Sequence, residues 1–505
     1  MQPFKSQLIA GEYERGGGRA VEARNPAHPA AVAFAWHEST PADIERALLA
    51  ARGASATWRD WGFDRRARVL HAVAELASAR VDDLAKLIRE ETGKPAWDAK
   101  AEAGLIAAKI GITLDAAPGS PLSRVTGAEF SLGGTKWART RFHPHGVMAV
   151  IGPFNFPAHL PNGHIAPALA MGNTVVFKPS DKAPATGLAL AELYREALAI
   201  EGGPPGAINV VQGGAGVASR LAGGEGVDGV LFTGSWPVGR RIIEANLDRP
   251  GRILALEMGG NNAAVILDDA DLTQAVAECL RCAFISTGQR CTCTRRLIVQ
   301  RAVADRVMAT LVAGARELVV GDPEGNVFMG PMVSEAARDA VLAAQGSFRA
   351  QGGRVLLEAG APGGDLDGWY ITPGVMEVGR FERGEQGAGA DVEVFGPLLR
   401  ISVVDSLDAA IDQANATEFG LAAAVFTRDE AKAESFAARV RAGCINWNCG
   451  TAGASSKLPF GGLGMSGNHR PAGAFSVDYC AYPVASMIER GEGWTAAVGM
   501  GAIKV

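Results

Sequence analysis

Between residues 40 and 114 the apolar positions recur every three or four residues. Thr40 stands before Pro41 and the run ADIERALLAARGASATW, an N-cap residue followed by proline at the first helical position. Residues 64–91 read as one long helix with Val69, Val73, Leu76 and Ala77 on a single face, and residues 96–114 as another. From about Val147 the pattern changes. Short β-branched runs (VMAVIG, NTVVFKP, AINVVQG, GVLFTGS, NAAVIL) alternate with helical stretches such as ATGLALAELYREALA. This alternation predicts an α/β fold with a parallel sheet covered by helices on both faces. A second alternating series predicts a second α/β unit. It comprises RRLIVQ, a helix near 302–318, a segment around 334–352, RVLLE, LLRISVV, a helix near 406–415, AAAVFT, a helix at 429–441 and GCINWN. The Gly-punctuated stretch 124–142 reads as a hairpin projecting from the body, and a late strand over 478–487 can pair with it.

A chain of 505 residues implies two or three domains. With 48% apolar and 20% charged residues the composition is that of a globular protein. The 49 basic and 54 acidic residues leave a net charge of −5, and no basic stripe marks a nucleic-acid partner. A local basic pocket for an anionic substrate stays open. The first 18 residues hold no signal-like apolar core, and no apolar run reaches membrane-spanning length, so a cytoplasmic protein with no membrane partner is expected. Seven cysteines, an odd number spread over a long chain, argue against a disulfide framework. Cys279 and Cys282 share one face of a helical pattern, and Cys291 and Cys293 lack zinc-site spacing. Packed thiols with one special cysteine are therefore expected, and no metal.

Several nucleotide and hydrolase signatures are missing: GxxxxGK[ST], a GxGxxG after the first strand, HExxH and GxSxG. Seven short motifs are present in one order: GPFNFP (152–157), KPSD (178–181), FTGSWPVG (232–239), LEMGG (256–260), GQRCT (288–292), EVFGP (393–397) and PFGG (459–462). Together they resemble the aldehyde dehydrogenase superfamily over essentially the whole chain. The resemblance implies two Rossmann-like α/β domains with a small β oligomerisation arm. Residues 1–123 and 143–254 would form the NAD-binding domain and 255–465 the catalytic domain. Residues 124–142 and 466–505 would form the arm and C-terminal strand, with a homodimer or homotetramer expected.

The chemistry makes sense of the motifs. Oxidising an aldehyde requires a tetrahedral adduct from which hydride can leave, and a thiolate is the best protein nucleophile for making one. By resemblance Cys291 attacks the carbonyl, and Cys293 is assigned no chemistry. The Asn155 side-chain amide and the Cys291 backbone N–H would stabilise the alkoxide. Glu257 would activate the water that hydrolyses the resulting thioester. Its presence favours a free-acid product over transfer to coenzyme A. For the cofactor, NAD, the resemblance implies Lys178, Ser180, Asp181, Gly234, Ser235, Gly239, Glu393 and Phe395. A carboxylate at Asp181 can bind ribose hydroxyls and repels a 2′-phosphate.

A narrower set of segments points to the substrate. NFPAHLPNGHIAPAL (155–169), LEMGGNNAAVI (256–266), CINWN (444–448), FGGLGMSGNHRP (460–471) and VDYCAYPVAS (477–486) resemble the branch of the family that oxidises N-succinylglutamate 5-semialdehyde in arginine breakdown. Its two carboxylates call for arginine and further donors at the cleft mouth. Arg290, Ser456, Lys457, His469 and Arg470 are the candidates. Arg290 could instead be structural and Arg470 an interdomain ion pair, while His159 and His164 read as hydrogen-bonded core or rim residues. The alternatives are another acidic semialdehyde (succinate or glutamate semialdehyde), a non-redox thioester hydrolase, or a non-catalytic NAD-binding protein.

Overall fold

The computed structural model describes residues 5–492 and 497–501; the remainder of the expected 466–505 segment, 493–496 and 502–505, lies outside the described residues. The chain opens with β1 (Gln7–Ile9), β2 (Glu12–Glu14), β3 (Ala20–Asn25) and β4 (His28–His37). The sequence did not signal these four. β1 and β2 are too short to show alternation, and β3 and β4 are largely exposed. Helix α1 (Pro41–Asp60) starts as expected: the Thr40 hydroxyl accepts from the Asp43 N–H while the Asp43 carboxylate accepts from the Thr40 N–H, a reciprocal cap.

The single helix expected over 64–91 is two, α2 (Phe63–Ala79) and α3 (Val81–Thr92), separated at Arg80 with φ −112° and ψ 21°. Buried Val69, Val73, Ala77, Leu84 and Ile88 carry the apolar face straight through the break, so periodicity could not reveal it. Helix α4 (Ala96–Thr113) follows, and then the short α5 (Pro121–Arg124) leads into the arm hairpin of β5 (Ala128–Gly133) and β6 (Lys136–Pro144).

The first large sheet takes β7 (Val147–Ile151), β8 (Thr174–Lys178), β9 (Ile208–Val210), β10 (Gly229–Gly234) and β11 (Ile253–Met258). Between them run α6 (His159–Ala170), α7 (Pro184–Glu201), α8 (Ala215–Gly223) and α9 (Trp236–Glu244). Its order is β11-β10-β7-β8-β9-β1-β2, parallel as far as β9 and antiparallel beyond. β7 and β8 are buried along their whole length, which is why they read as continuous apolar runs and not as alternating ones. The chain then crosses to the second sheet through Gly259, Gly260 and Asn261, later than the division expected after residue 254.

The second sheet contains β12 (Asn262–Ile266), β13 (Thr294–Gln300), β14 (Arg354–Leu357), β15 (Gly374–Glu377), β16 (Leu398–Val404), β17 (Ala422–Phe426) and β18 (Cys444–Trp447). Helices α10 (Leu272–Phe284), α11 (Arg301–Arg316), α12 (Glu335–Ala350), α13 (Leu407–Ala414) and α14 (Glu430–Arg439) connect and cover it. The order is β14-β15-β16-β13-β12-β17-β18, parallel except at the β14–β15 edge. After the two-residue strands β19 (Pro459–Phe460) and β20 (Ala472–Gly473), β21 (Ala481–Glu489) pairs antiparallel with β6 along nine residues, as the sequence predicts. No helix among the described residues is long and apolar enough to cross a membrane.

Candidate active site

Strand order in the first sheet reverses at β7, which has β8 on one side and β10 on the other. Such a switch opens a crevice beyond the carboxyl ends of the strands. Here the crevice is a cleft of about 940 Å³. The loop after β7 brings Asn155, the end of β8 brings Lys178, Ser180 and Asp181, and the end of β10 brings Gly234 and Ser235. The end of β11 contributes Glu257, and the second sheet's side supplies Cys291, Glu393 and Phe395. Three catalytic candidates and seven of eight cofactor candidates thus share one cleft. Gly239 does not line it. A Cβ there would meet Met258 Sδ at 2.2 Å, so this glycine lets α9 close against β11.

Cys291 precedes β13. Its carbonyl accepts a hydrogen bond of 2.8 Å from Asn262 Nδ2, which also holds the Cys293 carbonyl at 2.8 Å. Burial pushes the Cys291 thiol up, and the carboxylates of Glu257 and Glu393 add to this. Glu257 lies on a strand, not in a loop, and is wholly buried. Neither of its carboxylate oxygens has a hydrogen-bond partner among the described residues. Burial, reinforced by Glu393, raises its carboxyl well above the usual range, a shift that suits a candidate general base. The Asn155 carboxamide is buried and makes no hydrogen bond to the described residues, so its N–H is free for an oxyanion. Asn155→Ala is expected to lower kcat about 100- to 1000-fold without loss of fold, measured by steady-state kinetics beside a thermal melt.

The far end of the cleft fits a dinucleotide. Ser235 is the N-cap of α9, yet its hydroxyl makes no capping bond, leaving a free donor at a helix N-terminus where a phosphate binds well. Burial lowers Lys178 to about 8, opposed by Asp181 and Glu38. Towards Cys291, Glu393 accepts from the Gly260 N–H at 2.9 Å. A Cβ on Gly259 would lie 1.9 Å from Glu393 Oε2, so glycine is required for that carboxylate to reach the cleft.

None of the substrate candidates lines this cleft. Arg290 is spent on an internal ion pair, with Nη2 2.7 Å from Asp98 Oδ1. Arg470 donates to the Gly462 carbonyl at 3.0 Å and is not an interdomain ion pair. Ser456 and Lys457 lie in an irregular segment, and His469 is exposed with a left-handed backbone. The distinctive GNHRP segment has a structural account instead. Gly467 bridges Glu257, and Asn468 binds the free edge of β11 through both the Leu256 N–H and the Leu254 carbonyl. A Cβ on Gly467 would lie 2.3 Å from the Leu256 carbonyl oxygen. The segment therefore steadies the strand that carries Glu257. His164 is a buried core residue bonded to Tyr479 and Thr233.

Sequence reasoning missed Asn262, Asn468 and Arg295. Arg295 is buried against Phe395 and bonded to the Gly396 and Arg290 carbonyls. Two adjacent arginines inside the apolar strand TRRLIVQ were the available signal, because a buried charge requires a partner.

The match to the aldehyde dehydrogenase family model spans residues 13–483, and the chain belongs to that family. Among relatives, it is 42% identical to the N-succinylglutamate 5-semialdehyde dehydrogenase of Vibrio cholerae serotype O1, over 95% of this chain and 96% of that protein. It is likewise 42% identical to the enzyme of the same name from Chromobacterium violaceum, over 96% of each. Among solved structures, an NAD-dependent aldehyde dehydrogenase from Sinorhizobium meliloti superposes with a TM-score of 0.90 at 30% identity, covering 98% of this chain and 96% of that one.

Proposed function

We propose that this chain oxidises N-succinylglutamate 5-semialdehyde to N-succinylglutamate in arginine breakdown, with NAD as cofactor and Cys291 as nucleophile. The observation that carries the reaction class is Glu257, buried and unpartnered in the cleft that holds Cys291. The names of the 42%-identical relatives support the substrate. Cys291 gives its thiol proton to solvent and its sulfur bonds to the aldehyde carbon. The carbonyl electron pair moves to oxygen, where the Asn155 amide and the Cys291 N–H hold it. Bound NAD supplies the acceptor for the hydride that this carbon loses as the alkoxide collapses to a thioester. Glu257 then takes a proton from water, the hydroxide adds to the thioester, and the C–S bond breaks to free the acid and leave Cys291 as its thiolate. A thioesterase without redox chemistry would not need the dinucleotide-shaped half of the cleft.

In this reading residues 5–123 and 143–258 bind the cofactor, 259–465 carry the nucleophile, and 124–142 with β21 (Ala481–Glu489) form the arm. Every residue of β5 is exposed, including Phe130 and Leu132, and Met487 of β21, on the other side of β6, is exposed too. Such an edge is completed by a second copy of the chain, so a homodimer or homotetramer in the cytoplasm is the assembly we assign.

The substrate is tested by comparing kcat/KM for N-succinylglutamate 5-semialdehyde with succinate and glutamate semialdehydes. At least about tenfold preference, roughly 1.4 kcal/mol in the transition state, is expected; equal values would remove the substrate assignment. Cofactor choice is tested at Asp181. Two like charges about 4 Å apart repel by roughly 1 to 4 kcal/mol near a protein surface. Asp181→Ser is therefore expected to raise the NADP-to-NAD ratio of kcat/KM at least about tenfold.

A further inference from the structure

Helix α4 carries two buried carboxylates one turn apart, Asp98 and Glu102. Neither lines the cleft, yet each holds one side of it. Asp98 Oδ1 takes Arg290 Nη2 at 2.7 Å, and its Oδ2 takes the Ser286 hydroxyl at 2.6 Å. Arg290 Nε closes the triangle on Ser286 Oγ at 2.8 Å. Arg290 is the residue before Cys291. Glu102 Oε1 accepts the backbone N–H groups of Ala158 and His159 at 3.0 and 3.2 Å, capping the helix that begins just after Asn155. Its Oε2 pairs with buried Lys94 at 2.6 Å.

The two loops also meet directly. Phe156, next to Asn155, has Lys94 Nζ 3.5 Å from its ring centroid and the Arg290 guanidinium carbon 4.9 Å from it. The nucleophile loop needs such anchoring. Ser286 and Thr287 both sit in the left-handed region, at φ 51° and 55°, and both are buried. Non-glycine residues hold that conformation only where their surroundings enforce it.

We infer that Asp98 and Glu102 are positioning residues, which fix the nucleophile and the oxyanion donor to a common helix and so set the distance between Cys291 and Asn155. The inference rests on the roles given above to Cys291 and Asn155. Small misplacements of reacting groups cost rate steeply. Asp98 acts on the Cys291 side and Glu102 on the Asn155 side, so their losses have different signatures.

The test uses Asp98→Asn and Glu102→Gln in the full-length enzyme, which keep the size and one acceptor oxygen of each side chain while turning the other oxygen into an NH2 donor, with the alanine variants alongside. Three quantities are read: alkylation of Cys291 by iodoacetamide, NAD affinity from protein fluorescence, and aldehyde turnover. Asp98→Asn is expected to change the alkylation rate at least about tenfold and to lower kcat. Glu102→Gln should leave alkylation within about twofold while lowering kcat at least about tenfold. NAD affinity should stay within about twofold in both. The double variant should cost little more than the worse single one, as expected of groups serving one geometry. Wild-type alkylation and kcat in all four variants would overturn the inference, and so would a parallel loss of NAD affinity and kcat, the mark of general loosening. Alkylation needs no aldehyde, so it still reads the nucleophile loop if the wild-type enzyme fails to oxidise the proposed substrate.

Discussion

Replacing Cys291 by alanine is expected to abolish aldehyde-dependent NADH formation, a loss of roughly 10⁴-fold or more, while NAD affinity stays within about twofold. The Cys291 backbone is held by groups the substitution does not touch. Asn262 clamps the Cys291 and Cys293 carbonyls, and a Cβ on Gly260 would lie only 3.0 Å from the Cys291 carbonyl oxygen. Removing the sulfur therefore removes chemistry and not architecture. Cys293 is the internal control. Its thiol is buried, does not line the cleft and faces the Ile285 carbonyl at 3.8 Å. Cys293→Ser should keep activity within about tenfold. Survival of turnover in Cys291→Ala, with loss in Cys293→Ser, would transfer the nucleophile's role to the wrong side of the loop and refute the assignment.

Glu257→Gln should separate the two half-reactions. Because neither carboxylate oxygen has a partner among the described residues, the isosteric amide disturbs no hydrogen bond there. Acylation should proceed and deacylation should slow by about 100- to 10,000-fold, giving one rapid equivalent of NADH per site followed by a stall. The pH dependence follows from the direction of the shift. Burial raises the Glu257 carboxyl well above its usual range, and only the ionised form can take a proton from water. Deacylation by the wild-type enzyme should fall as pH drops through this raised value and recover above it. In Glu257→Gln that limb should be absent. A wild-type deacylation limb at the ordinary carboxylate pKa would contradict the buried-base reading.

What could be read from the chain follows from how locally each feature is encoded. The Thr40–Pro41 start of α1 depends on four consecutive residues, and the strands on either side of the switch at β7 are buried runs that announce themselves. The break at Arg80 leaves the apolar repeat intact and so was silent. β11 was silent for a different reason: RILALEM was subsumed under the LEMGG motif, and nothing local marks it as an edge strand until Asn468 arrives from more than two hundred residues away. The candidate catalytic and cofactor residues stand out in the sequence because the proposed chemistry demands particular residue types beside glycines. Arg290 shows the limit of that logic. A guanidinium next to the nucleophile suits a dicarboxylate, but whether it faces solvent or a buried acid depends on Asp98, 192 residues earlier in the chain. Long-range pairing of this kind carries no local pattern, so the clamp on α4 exists only in the folded chain.

In the proposed mechanism oxidation passes through an acyl group on Cys291 that Glu257 releases. The most direct measurement is the peptide mass of Glu257→Gln after mixing with NAD and N-succinylglutamate 5-semialdehyde. The expected result is the mass of the N-succinylglutamyl acyl group on the peptide holding Cys291, in step with the single turnover of NADH. An unmodified Cys291 at the end of that turnover, or an acyl group on another cysteine, would contradict it.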